Sequence, residues 1–549
     1  MLYPLQKIST DFFEKLHEFP NLEDILSSGL HHDPEDTALI DGDQEISFAR
    51  LNGSANQISR FLLTLGVVRG DRVLVSALKS WQLVAVAVGI WRVGAVYVPI
   101  DQDWPKGRFE KMVQSIEPSA AILSSAHDVF LNDHTAFPKF LLSDQPWEKF
   151  LDGPFESVAC DGVDAAYIMH TSGSTGEPKG VVMSRRAVVA YFHGHNQFFR
   201  FKNGDVCLNN APFHFDVSIQ DVFLPLFFGA TVCLTSGVPF PDYLLELMEM
   251  HGVTHLIIVA SLLMTITEDP SAISERDLAA LRVVMTGAEI CKPSVLEFWS
   301  QFNDGLTVLN GYGPTEVNSI SVLYAITPKS QGRQTTFPIG MPLPTVLARL
   351  VDDQDRTISG EHIPGELLLG GPQLMEGYWR KPDQTKKAFI VIDGERYYRS
   401  GDVCCLDEDE NYVFVGRKDK EVKINGRRIN TAEIESVLMA VKGVRYAFCD
   451  VFEHLDSKAI SCIVCIEKNT SIPSIASKIF DAIEGNLPFY MLPSHFGYCL
   501  EVTFGSTGKT SPKEMFRALH HAIEVKPAAA YQMVSGTFHR LVDRETEGV

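Results

Sequence analysis

The chain has 549 residues, of which 45% are hydrophobic and 21% are charged. This composition excludes a disordered or fibrous protein, and the length excludes a single small binding module. The 48 Lys and Arg against 69 Asp and Glu give a net charge of −21. Because that charge repels nucleic-acid backbones and anionic membrane surfaces, we expect no nucleic-acid partner and no membrane partner.

The N-terminal part of the sequence shows no signal for secretion or membrane insertion. Its first residues carry charges where a signal peptide needs an apolar block. The longest apolar run nearby lies between Lys79 and Arg92. That run is shorter than the roughly 20 residues of a membrane span, so it predicts a core helix. The sequence therefore favours a cytoplasmic location.

From about residue 37 to residue 400, β-branched apolar runs alternate with longer helical stretches, as in DRVLVSAL, SWQLVAVAVGIWRVG and AVYVPI. This alternation predicts an α/β fold with mostly parallel strands in helix-covered sheets. The charged, glycine-bearing stretch Gly416–Asn430 indicates a joint to a smaller α+β domain. The predicted domains are 1–416, 417–520 and a tail at 521–549 whose role the sequence does not indicate.

The strongest local signal is YIMHTSGSTGEPKGV at residues 167–181, between an apolar run and the β-like run VVM. Its glycines allow backbone N–H groups to converge, its hydroxyls add hydrogen-bond donors, and its lysine adds positive charge. Together these features suit a polyphosphate. The residues concerned are Thr171, Ser172, Gly173, Ser174, Thr175, Gly176 and Lys179.

Two other interpretations of this loop are weaker. A flexible surface turn does not require a lysine and four hydroxyls between two strands. A Walker P-loop requires GxxxxGK and then Ser or Thr on a strand-to-helix turn, and the spacing from Gly173 to Lys179 does not match it. The later string GSTGKT at residues 505–510 matches only the end of that motif.

The string TSGSTGEPKG closely resembles the phosphate-loop signature of the adenylate-forming superfamily. This superfamily includes acyl-CoA synthetases, luciferases and the adenylation domains of nonribosomal peptide synthetases. Further motifs that resemble the family's occur in the family's order. They are AVYVPIDQDWP (95–105), FHFDVSIQDVF (213–223), NGYGPTE (310–316), GELLLGG (365–371), YRSGD (398–402), GRKDKEVKINGRRIN (416–430) and STGKT (506–510). The resemblance covers about residues 20–520 and implies a large N-terminal domain with a small, mobile C-terminal domain.

The resemblance implies a reaction that joins a carboxylate to the α-phosphate of ATP, releases pyrophosphate and passes the acyl group to a thiol. Because two anions must meet, such a site needs cations and fixed geometry more than it needs a base. By this resemblance, Lys509 bridges the carboxylate and the α-phosphate, Thr315 contacts that phosphate, and Glu316 binds Mg²⁺. The residues after Lys509 are Thr-Ser-Pro, which departs from the family's usual Ile or Val followed by Asp-Arg.

The same resemblance assigns the nucleotide contacts and the joint. Tyr312 stacks on the adenine, Asp402 accepts hydrogen bonds from both ribose hydroxyls, and Arg417 is a further nucleotide contact. Acyl adenylates hydrolyse easily, so the family excludes water in the first step and admits a thiol in the second. It does so by rotating the small domain about a hinge residue, here Asp419, which brings Gly426 towards the pantetheine arm.

The string FHFDVSIQDVF bears on the substrate. In amino-acid-activating members an Asp at the place of Asp216 pairs with the substrate's α-ammonium group, and a buried carboxylate is costly unless it meets a cation. The alternative is an Asp that is satisfied by neighbouring backbone groups. The remaining pocket positions, taken from the motifs, carry no charge. They are Val217, Gln220, Ile257, Val284, Thr286, Gly311, Ser319 and Ile320.

A neutral pocket favours a neutral amino acid of small to medium size, either proline-like or alanine-like. The string IDGERYYRSGD also resembles D-alanine–carrier protein ligases, so D-alanine stays open. The sequence contains no phosphopantetheine attachment string and no condensation or thioesterase segment. We therefore expect a stand-alone adenylation enzyme that uses ATP and Mg²⁺ and has a separate carrier protein as its partner.

Two alternatives to this function stay open. An acyl- or aryl-CoA synthetase would use CoA as the acceptor, and Asp216 would then be incidental. A catalytically silent protein would keep the fold in order to bind ATP or a carrier protein. The presence of Glu316, Asp402 and Lys509 argues against such silence.

Overall fold

The computed structural model describes residues 21–26, 32–124, 137–171, 178–237, 240–326, 336–418, 421–454, 457–467, 470–500, 513–525, 530–534 and 537–540. These residues form two compact units. The larger is built from described residues within 21–102, 115–171 and 179–418, and the smaller from those within 103–114, 178 and 421–540. Residues 103–114 therefore group with a unit formed mainly by residues after 420, which the sequence did not predict.

The larger unit contains a nine-stranded sheet, in which the strands from Thr307–Tyr312 to Thr37–Asp41 are parallel and those at the two ends are antiparallel. Parallel strands need helical crossovers on both faces, which agrees with the alternation in the sequence. In spatial order the strands are Met341–Pro342, Val322–Ile326, Thr307–Tyr312, Val283–Gly287, His255–Val259, Val206–Asn209, Thr231–Leu234, Thr37–Asp41 and Gln44–Ser47.

A second sheet of the larger unit has seven strands and is also parallel at its centre. In spatial order its strands are Gly377–Tyr378, Lys179–Ser184, Ala165–Thr171, Val96–Pro99, Arg72–Ser76, Ala120–Leu123 and Lys139–Leu141. A third, antiparallel sheet has five strands. These strands are Leu347–Val351, Gly365–Gly370, Phe389–Ile392, Glu395–Leu406 and Tyr412–Arg417.

Helices cover the parallel sheets, and their apolar faces are buried in two large hydrophobic clusters. The helix Trp81–Arg92 lies in the apolar run that the sequence assigned to a core helix, and all its residues except Gln82 are buried. No helix in the described part of the chain is both long and apolar enough to cross a membrane. The other α-helices of the larger unit are Phe48–Thr64, Arg185–Phe199, Leu224–Phe227, Pro241–Met250, Ala260–Thr267, Pro270–Ser274, Pro293–Phe302 and Pro382–Ala388.

Single helical turns of other types complete the larger unit. A π-helical turn at Ile219–Phe223 leads directly into the short α-helix Leu224–Phe227. The 3₁₀ turns are Leu22–Asp24, Leu142–Asp144 and Thr315–Val317. Both the π turn and Thr315–Val317 lie within motifs that the sequence analysis singled out, so irregular backbone coincides with the predicted site.

The smaller unit is an α+β structure with its own hydrophobic core. A two-stranded hairpin, Glu421–Ile424 with Arg427–Asn430, turns at Asn425-Gly426, where both residues have positive φ, as a two-residue type I′ turn requires. The other strands, in sheet order, are Val444–His454, Ser457–Ile466, His495–Cys499, Ala530–Val534 and Thr537–Arg540. Its helices are Thr431–Met439, Ile472–Asn486 and Lys513–Val525, with a 3₁₀ turn at Phe489–Met491, and residues 106–114 of the helix Lys106–Ile116 also belong to it.

The structure confirms the predicted fold class, a large α/β part with helix-covered sheets and a small α+β part. The strands Ala530–Val534 and Thr537–Arg540 extend the small unit's sheet, although they lie within the segment that the sequence could not interpret. The domain boundaries derived from the sequence stay a prediction.

Candidate functional site

The two ends of the glycine-rich loop are held side by side in the seven-stranded sheet. The strand Ala165–Thr171 enters the loop, the strand Lys179–Ser184 leaves it, and the two are antiparallel neighbours with Thr171 paired to Lys179. The hydroxyl of Thr171 is buried and has no hydrogen-bond partner among the described residues. A buried donor of this kind is suited to a ligand oxygen.

Several residues predicted from the sequence to act in catalysis or binding lie outside the described residues. They are Ser172, Gly173, Ser174, Thr175 and Gly176 of the loop, the hinge residue Asp419 and the lysine Lys509. Their assigned roles stay predictions.

A chain of three side chains joins the phosphate-loop lysine to the carboxylate predicted to bind magnesium. The Nζ atom of Lys179 lies 3.4 Å from the Tyr378 hydroxyl and 4.5 Å from the centre of its ring. That hydroxyl donates a 2.7 Å hydrogen bond to Oε1 of Glu316. The Tyr378 hydroxyl therefore lies between a cation and an anion and contacts both. Each contact stabilises the charged group that takes part in it.

Backbone contacts hold Tyr378 and Glu316 in place. Tyr378 pairs with Val181 at the edge of the sheet that carries Lys179. Glu316 is completely buried in the turn Thr315–Val317, which follows the strand Thr307–Tyr312, and its carbonyl accepts a hydrogen bond from the Met375 amide. The sequence analysis did not single out Tyr378. It follows the quoted GELLLGG motif by only a few residues, but no pattern in the sequence indicated its contact with Glu316.

The residues around Glu316 fit a magnesium ion that is held mainly by ligand phosphates. Within the described ranges, no three His, Cys, Asp or Glu side chains gather into a metal site. Magnesium commonly takes one or two protein carboxylates and completes its shell with phosphate oxygens and water. Glu316 can supply such a carboxylate, and half-buried Thr315 is adjacent to it in the same turn.

A second group of charged residues surrounds Asp402. The Tyr312 hydroxyl donates to Oδ2 of Asp402, and Nη1 of Arg417 donates to Oδ1 over 2.6 Å. Asp402 and Arg417 are direct partners in neighbouring antiparallel strands, which fixes their geometry. Burial, together with the Asp402 charge, raises the pKa of Tyr312 well above its usual value, so its hydroxyl stays a donor. The structure thus brings all three predicted nucleotide contacts together.

Asp216 lies close to two buried tyrosines. It is half-buried in the segment before the π turn Ile219–Phe223. Burial raises the pKa of Tyr167 and Tyr191 well above the usual tyrosine value, and the Asp216 charge adds to that effect. The Tyr167 hydroxyl donates a 2.7 Å hydrogen bond to Oδ1 of Asn318, next to the predicted pocket residue Ser319. The charge of Asp216 thus acts on tyrosines from two other elements, the strand Ala165–Thr171 and the helix Arg185–Phe199.

The sheet register divides the predicted pocket residues between two faces. Ile257 pairs with Met285, and Met285 pairs with Leu309, so these side chains share a face. Val284 and Thr286 alternate with Met285 and point to the opposite face. The structure therefore does not bring Val284 and Thr286 onto the face that carries Ile257.

Gly287 and Gly311 continue the face of Ile257, and Ile320 packs against them. A Cβ atom on Gly311 would lie 3.1 Å from Cδ1 of Ile320 and 3.2 Å from Sδ of Met285. A Cβ atom on Gly287 would approach the Gly311 carbonyl oxygen to 2.6 Å, closer than real Cβ atoms come. Met285 and Gly287 thus share the face of Ile257, and the pocket roles assigned to Ile257, Val284 and Thr286 stay predictions.

The remaining predicted pocket residues lie in the same core. Val217 is half-buried and packs against it, whereas Gln220 and Ser319 are buried. Gln220 contacts His195, whose other ring nitrogen contacts the Ile320 carbonyl. No spacing or motif in the sequence pointed to His195, which lies within the amphipathic helix Arg185–Phe199.

Comparison with known proteins agrees with this geometry. The family model described as AMP-binding enzyme matches residues 28–379. Phenyloxazoline synthase MbtB of Mycolicibacterium paratuberculosis is 29% identical over 493 residues, which cover 89% of this chain and 41% of that protein. The chain spans only 8% to 41% of the length of the curated relatives that it matches.

Two solved structures show the same fold. PA1221, a nonribosomal peptide synthetase protein containing adenylation and PCP domains, has a TM-score of 0.77 at 23% identity, covering 91% of this chain and 85% of that chain. The o-succinylbenzoate CoA synthetase MenE from Bacillus subtilis has a TM-score of 0.78 at 19% identity, with coverage of 90% and 98%. The family match and the sequence motifs show an ATP-dependent, adenylate-forming enzyme of the ligase type. The chain belongs to the AMP-binding enzyme family.

Proposed function

We propose that this enzyme activates a neutral α-amino acid of small to medium size with ATP and Mg²⁺. It then transfers the aminoacyl group to the phosphopantetheine thiol of a separate carrier protein. The observation that carries the proposal is Asp216, a half-buried carboxylate whose charge acts on the buried side chains of Tyr167 and Tyr191. A carboxylate in such surroundings is stabilised by a cation, and the α-ammonium group of an amino acid supplies one.

Hydrogen-bond donors and positive charges support the first half-reaction. Lys179 and Thr171 provide donors to the phosphates of ATP, and Lys509 neutralises charge that builds between the carboxylate and the α-phosphate. Bound magnesium supplies charge neutralisation at the phosphate oxygens. Glu316 holds that ion, and the Tyr378 hydroxyl orients the Glu316 carboxylate.

The group around Asp402 supports binding of the nucleoside. Each oxygen of the Asp402 carboxylate accepts one bond, from Tyr312 or from Arg417. A carboxylate oxygen has two acceptor positions, so Asp402 can also accept the ribose hydroxyls. Tyr312 then has its hydroxyl fixed by Asp402 and can offer its ring to the adenine.

A pocket without charge supports a neutral substrate side chain. Ile257, Gly311 and Ile320 share one wall with Met285 and Gly287, and none of them can pair with a charged group. A charged substrate side chain would lose its hydration there without compensation. This excludes the acidic and basic amino acids as preferred substrates.

Transfer to a carrier protein is supported by the solved structures and by the charge distribution. PA1221 contains adenylation and PCP domains in one protein. In the present sequence, residues 419–549 contain 15 Lys and Arg against 16 Asp and Glu, although the whole chain carries −21. An acidic carrier protein is repelled less by this nearly neutral part, so we expect it to dock there on a basic or apolar patch.

The test is amino-acid-dependent exchange of pyrophosphate into ATP, measured with all proteinogenic amino acids, D-alanine, and a panel of fatty and aryl acids. We expect exchange with one or a few neutral amino acids. Exchange only with fatty or aryl acids would instead support a CoA synthetase, the class of enzyme to which MenE belongs. No exchange with any acid would support a silent binding protein.

A substitution sharpens this test. Asp216→Asn keeps the shape of the side chain and removes its charge, so we expect the amino acid KM to rise about 30-fold or more while the KM for ATP changes little. The matched control is Asp242→Asn, at an exposed helix position, which should change neither value. Equal changes in both KM values for Asp216→Asn would contradict the amine contact. Transfer of the activated acyl group to CoA but not to a loaded carrier protein would contradict the proposed acceptor.

A further inference from the structure

A buried histidine connects two of the residues predicted to line the pocket, Gln220 and Ile320. His195 lies within the helix Arg185–Phe199, is fully buried, and packs between the rings of Tyr191 and Phe199 at 4.0 and 5.7 Å. Its Nε2 atom lies 3.2 Å from the Ile320 carbonyl oxygen, and its Nδ1 atom lies 3.3 Å from Nε2 of Gln220. Both ring nitrogens are therefore occupied by hydrogen bonds.

The chemistry of these contacts fixes the direction of each hydrogen bond. Burial lowers the pKa of His195 to about 3, so at neutral pH the ring carries one N–H. A carbonyl oxygen can only accept, so Nε2 of His195 is the donor to Ile320 and Nδ1 is an acceptor. Gln220 must then donate from its amide NH₂ to Nδ1. The amide of Gln220 cannot flip without breaking this contact.

This arrangement leaves the carbonyl oxygen of the Gln220 side chain without a partner. Gln220 is completely buried, and its Oε1 atom has no hydrogen bond to any described residue. A buried acceptor in that state is unfavourable unless a ligand or a water donates to it. Gln220 is connected through His195 to Ile320, which packs beside Gly311 and Gly287 in the pocket wall.

We infer that the pocket selects a substrate whose neutral side chain donates a hydrogen bond to Oε1 of Gln220, and that His195 is the positioning residue that holds this acceptor in place. The substrate class is an α-amino acid with a hydroxyl or a carboxamide in its side chain. A cationic side chain is disfavoured as the donor, because Gly311 and Ile320 carry no negative charge that could pair with it. This inference rests on the proposed function, and it narrows the neutral substrates to polar ones rather than proline-like or alanine-like ones.

The experiment compares pairs of amino acids that match in shape but differ in the donor. The pairs are threonine with valine, serine with 2-aminobutyrate, asparagine with leucine, and glutamine with methionine, each measured by pyrophosphate exchange. We expect one polar member to exceed its partner in kcat/KM by about 10- to 100-fold, because the apolar partner leaves Gln220 unpaired. Equal or higher kcat/KM for the apolar member of every pair would overturn the inference.

Two variants test whether the preference for a polar substrate depends on Gln220 and His195. Gln220→Met should reduce the ratio of kcat/KM between the preferred polar substrate and its apolar partner to about threefold or less, with the KM for ATP unchanged. His195→Phe should reduce the same ratio by at least fivefold, because the Gln220 amide is then free to rotate. The control is His193→Phe on the same helix, where His193 packs edge-on to Phe227 and Phe228, and it should leave the ratio unchanged.

The outcomes distinguish a failure of the proposed function from a failure of this inference. Exchange with no amino acid at all overturns the proposed function and this inference with it. If pyrophosphate exchange occurs with amino acids but its kcat/KM does not depend on a side-chain hydrogen-bond donor, the inference alone is overturned. Thermal melting of each variant identifies any that fails to fold. If His195→Phe does not fold, Gln220→Met still decides the question, and an unchanged ratio in that variant would overturn the role of Gln220.

Discussion

The larger unit contains two polar regions, one made of charged residues and tyrosines and one made of neutral groups. We call the charged region the residues Lys179, Tyr378 and Glu316 together with Tyr312, Asp402 and Arg417. Here cations and carboxylates alternate with tyrosine hydroxyls, and each charge contacts a neighbour in the group. The neutral region is Gln220, His195 and the Ile320 carbonyl. No member of it is charged, and Oε1 of Gln220 has no hydrogen-bond partner in the part of the chain that the structure describes.

The difference between the two regions shows how much of each hydrogen-bond network must be in place before its ligand binds. Phosphates and a metal bring large charges of their own, so the charged region must keep its geometry before they arrive. An amino acid side chain brings a single donor, and an unpaired acceptor is sufficient to select it. Removing one partner from the charged region should therefore cost more than removing one from the neutral region, because it leaves a charge unpaired.

The largest effect is expected for Glu316→Gln. The substitution keeps the shape of this fully buried side chain and removes the charge that is predicted to hold magnesium. We expect kcat/KM for ATP to fall on the order of 100-fold or more, and the magnesium concentration for half-maximal activity to rise. Kinetics over a range of magnesium concentrations measures both values. Glu246→Gln, at an exposed helix position, is the control, and an unchanged magnesium dependence in Glu316→Gln would contradict the assignment.

A smaller effect is expected for Tyr378→Phe, which removes only the hydroxyl between Lys179 and Glu316. The loss of one hydrogen bond to a charged group should raise the KM for MgATP about 10-fold and leave the amino acid KM unchanged. Tyr167→Phe is the matched variant near the neutral region, since its hydroxyl bonds Asn318. It should raise the amino acid KM and leave the MgATP KM unchanged. If both variants change the same constant, the two regions are not separate.

The smallest effect concerns stability rather than catalysis. Burial lowers the pKa of His195 to about 3 and that of His193 and His255 to about 4, so the folded enzyme keeps them neutral while the unfolded chain protonates them near pH 6.5. Stability should therefore fall as the pH decreases from 6.5 towards 4. Asp221 has the opposite sign, because burial raises its pKa to about 7 and the folded state holds its proton over the same range.

The contribution of His195 can be isolated. Between pH 6.5 and 5.5, wild type should lose about 1 kcal/mol more stability than His195→Phe, since one proton fewer is bound on unfolding of the variant. Denaturant unfolding at the two pH values measures this difference. An identical pH dependence for the two proteins would mean that His195 is already protonated in the folded state, and the direction of its hydrogen bonds would then be wrong.

The sequence predicted those features that are local in the chain. The alternation of strands and helices indicated the fold class, and the motifs around Tyr312, Glu316 and Asp402 identified residues that the structure brings close to one another. The motifs assigned Ile257, Val284 and Thr286 to one pocket, because a motif gives spacing but not strand orientation. A shift of one residue reverses the face of a strand, and the register places Ile257 on the face opposite to Val284 and Thr286.

Tyr378 and His195 were missed for another reason. Their partners lie far along the chain: Glu316 is 62 residues from Tyr378, and Ile320 is 125 residues from His195. Neither contact has a periodic or compositional signal, because only tertiary packing creates it. The sequence could therefore name the charged residues that resemble a family motif, but not the neutral side chains that orient them.

The π-helical turn Ile219–Phe223 limits how this enzyme can be redesigned for a new substrate. It carries Gln220, and only Ser218 separates it from Asp216 and Val217. Deleting or inserting one residue there would rotate every following side chain by about 100° around the helix axis and carry the acceptor away from His195. Libraries for altered specificity should therefore vary the side chains at 217 and 220 and keep the number of residues between 216 and 223 constant.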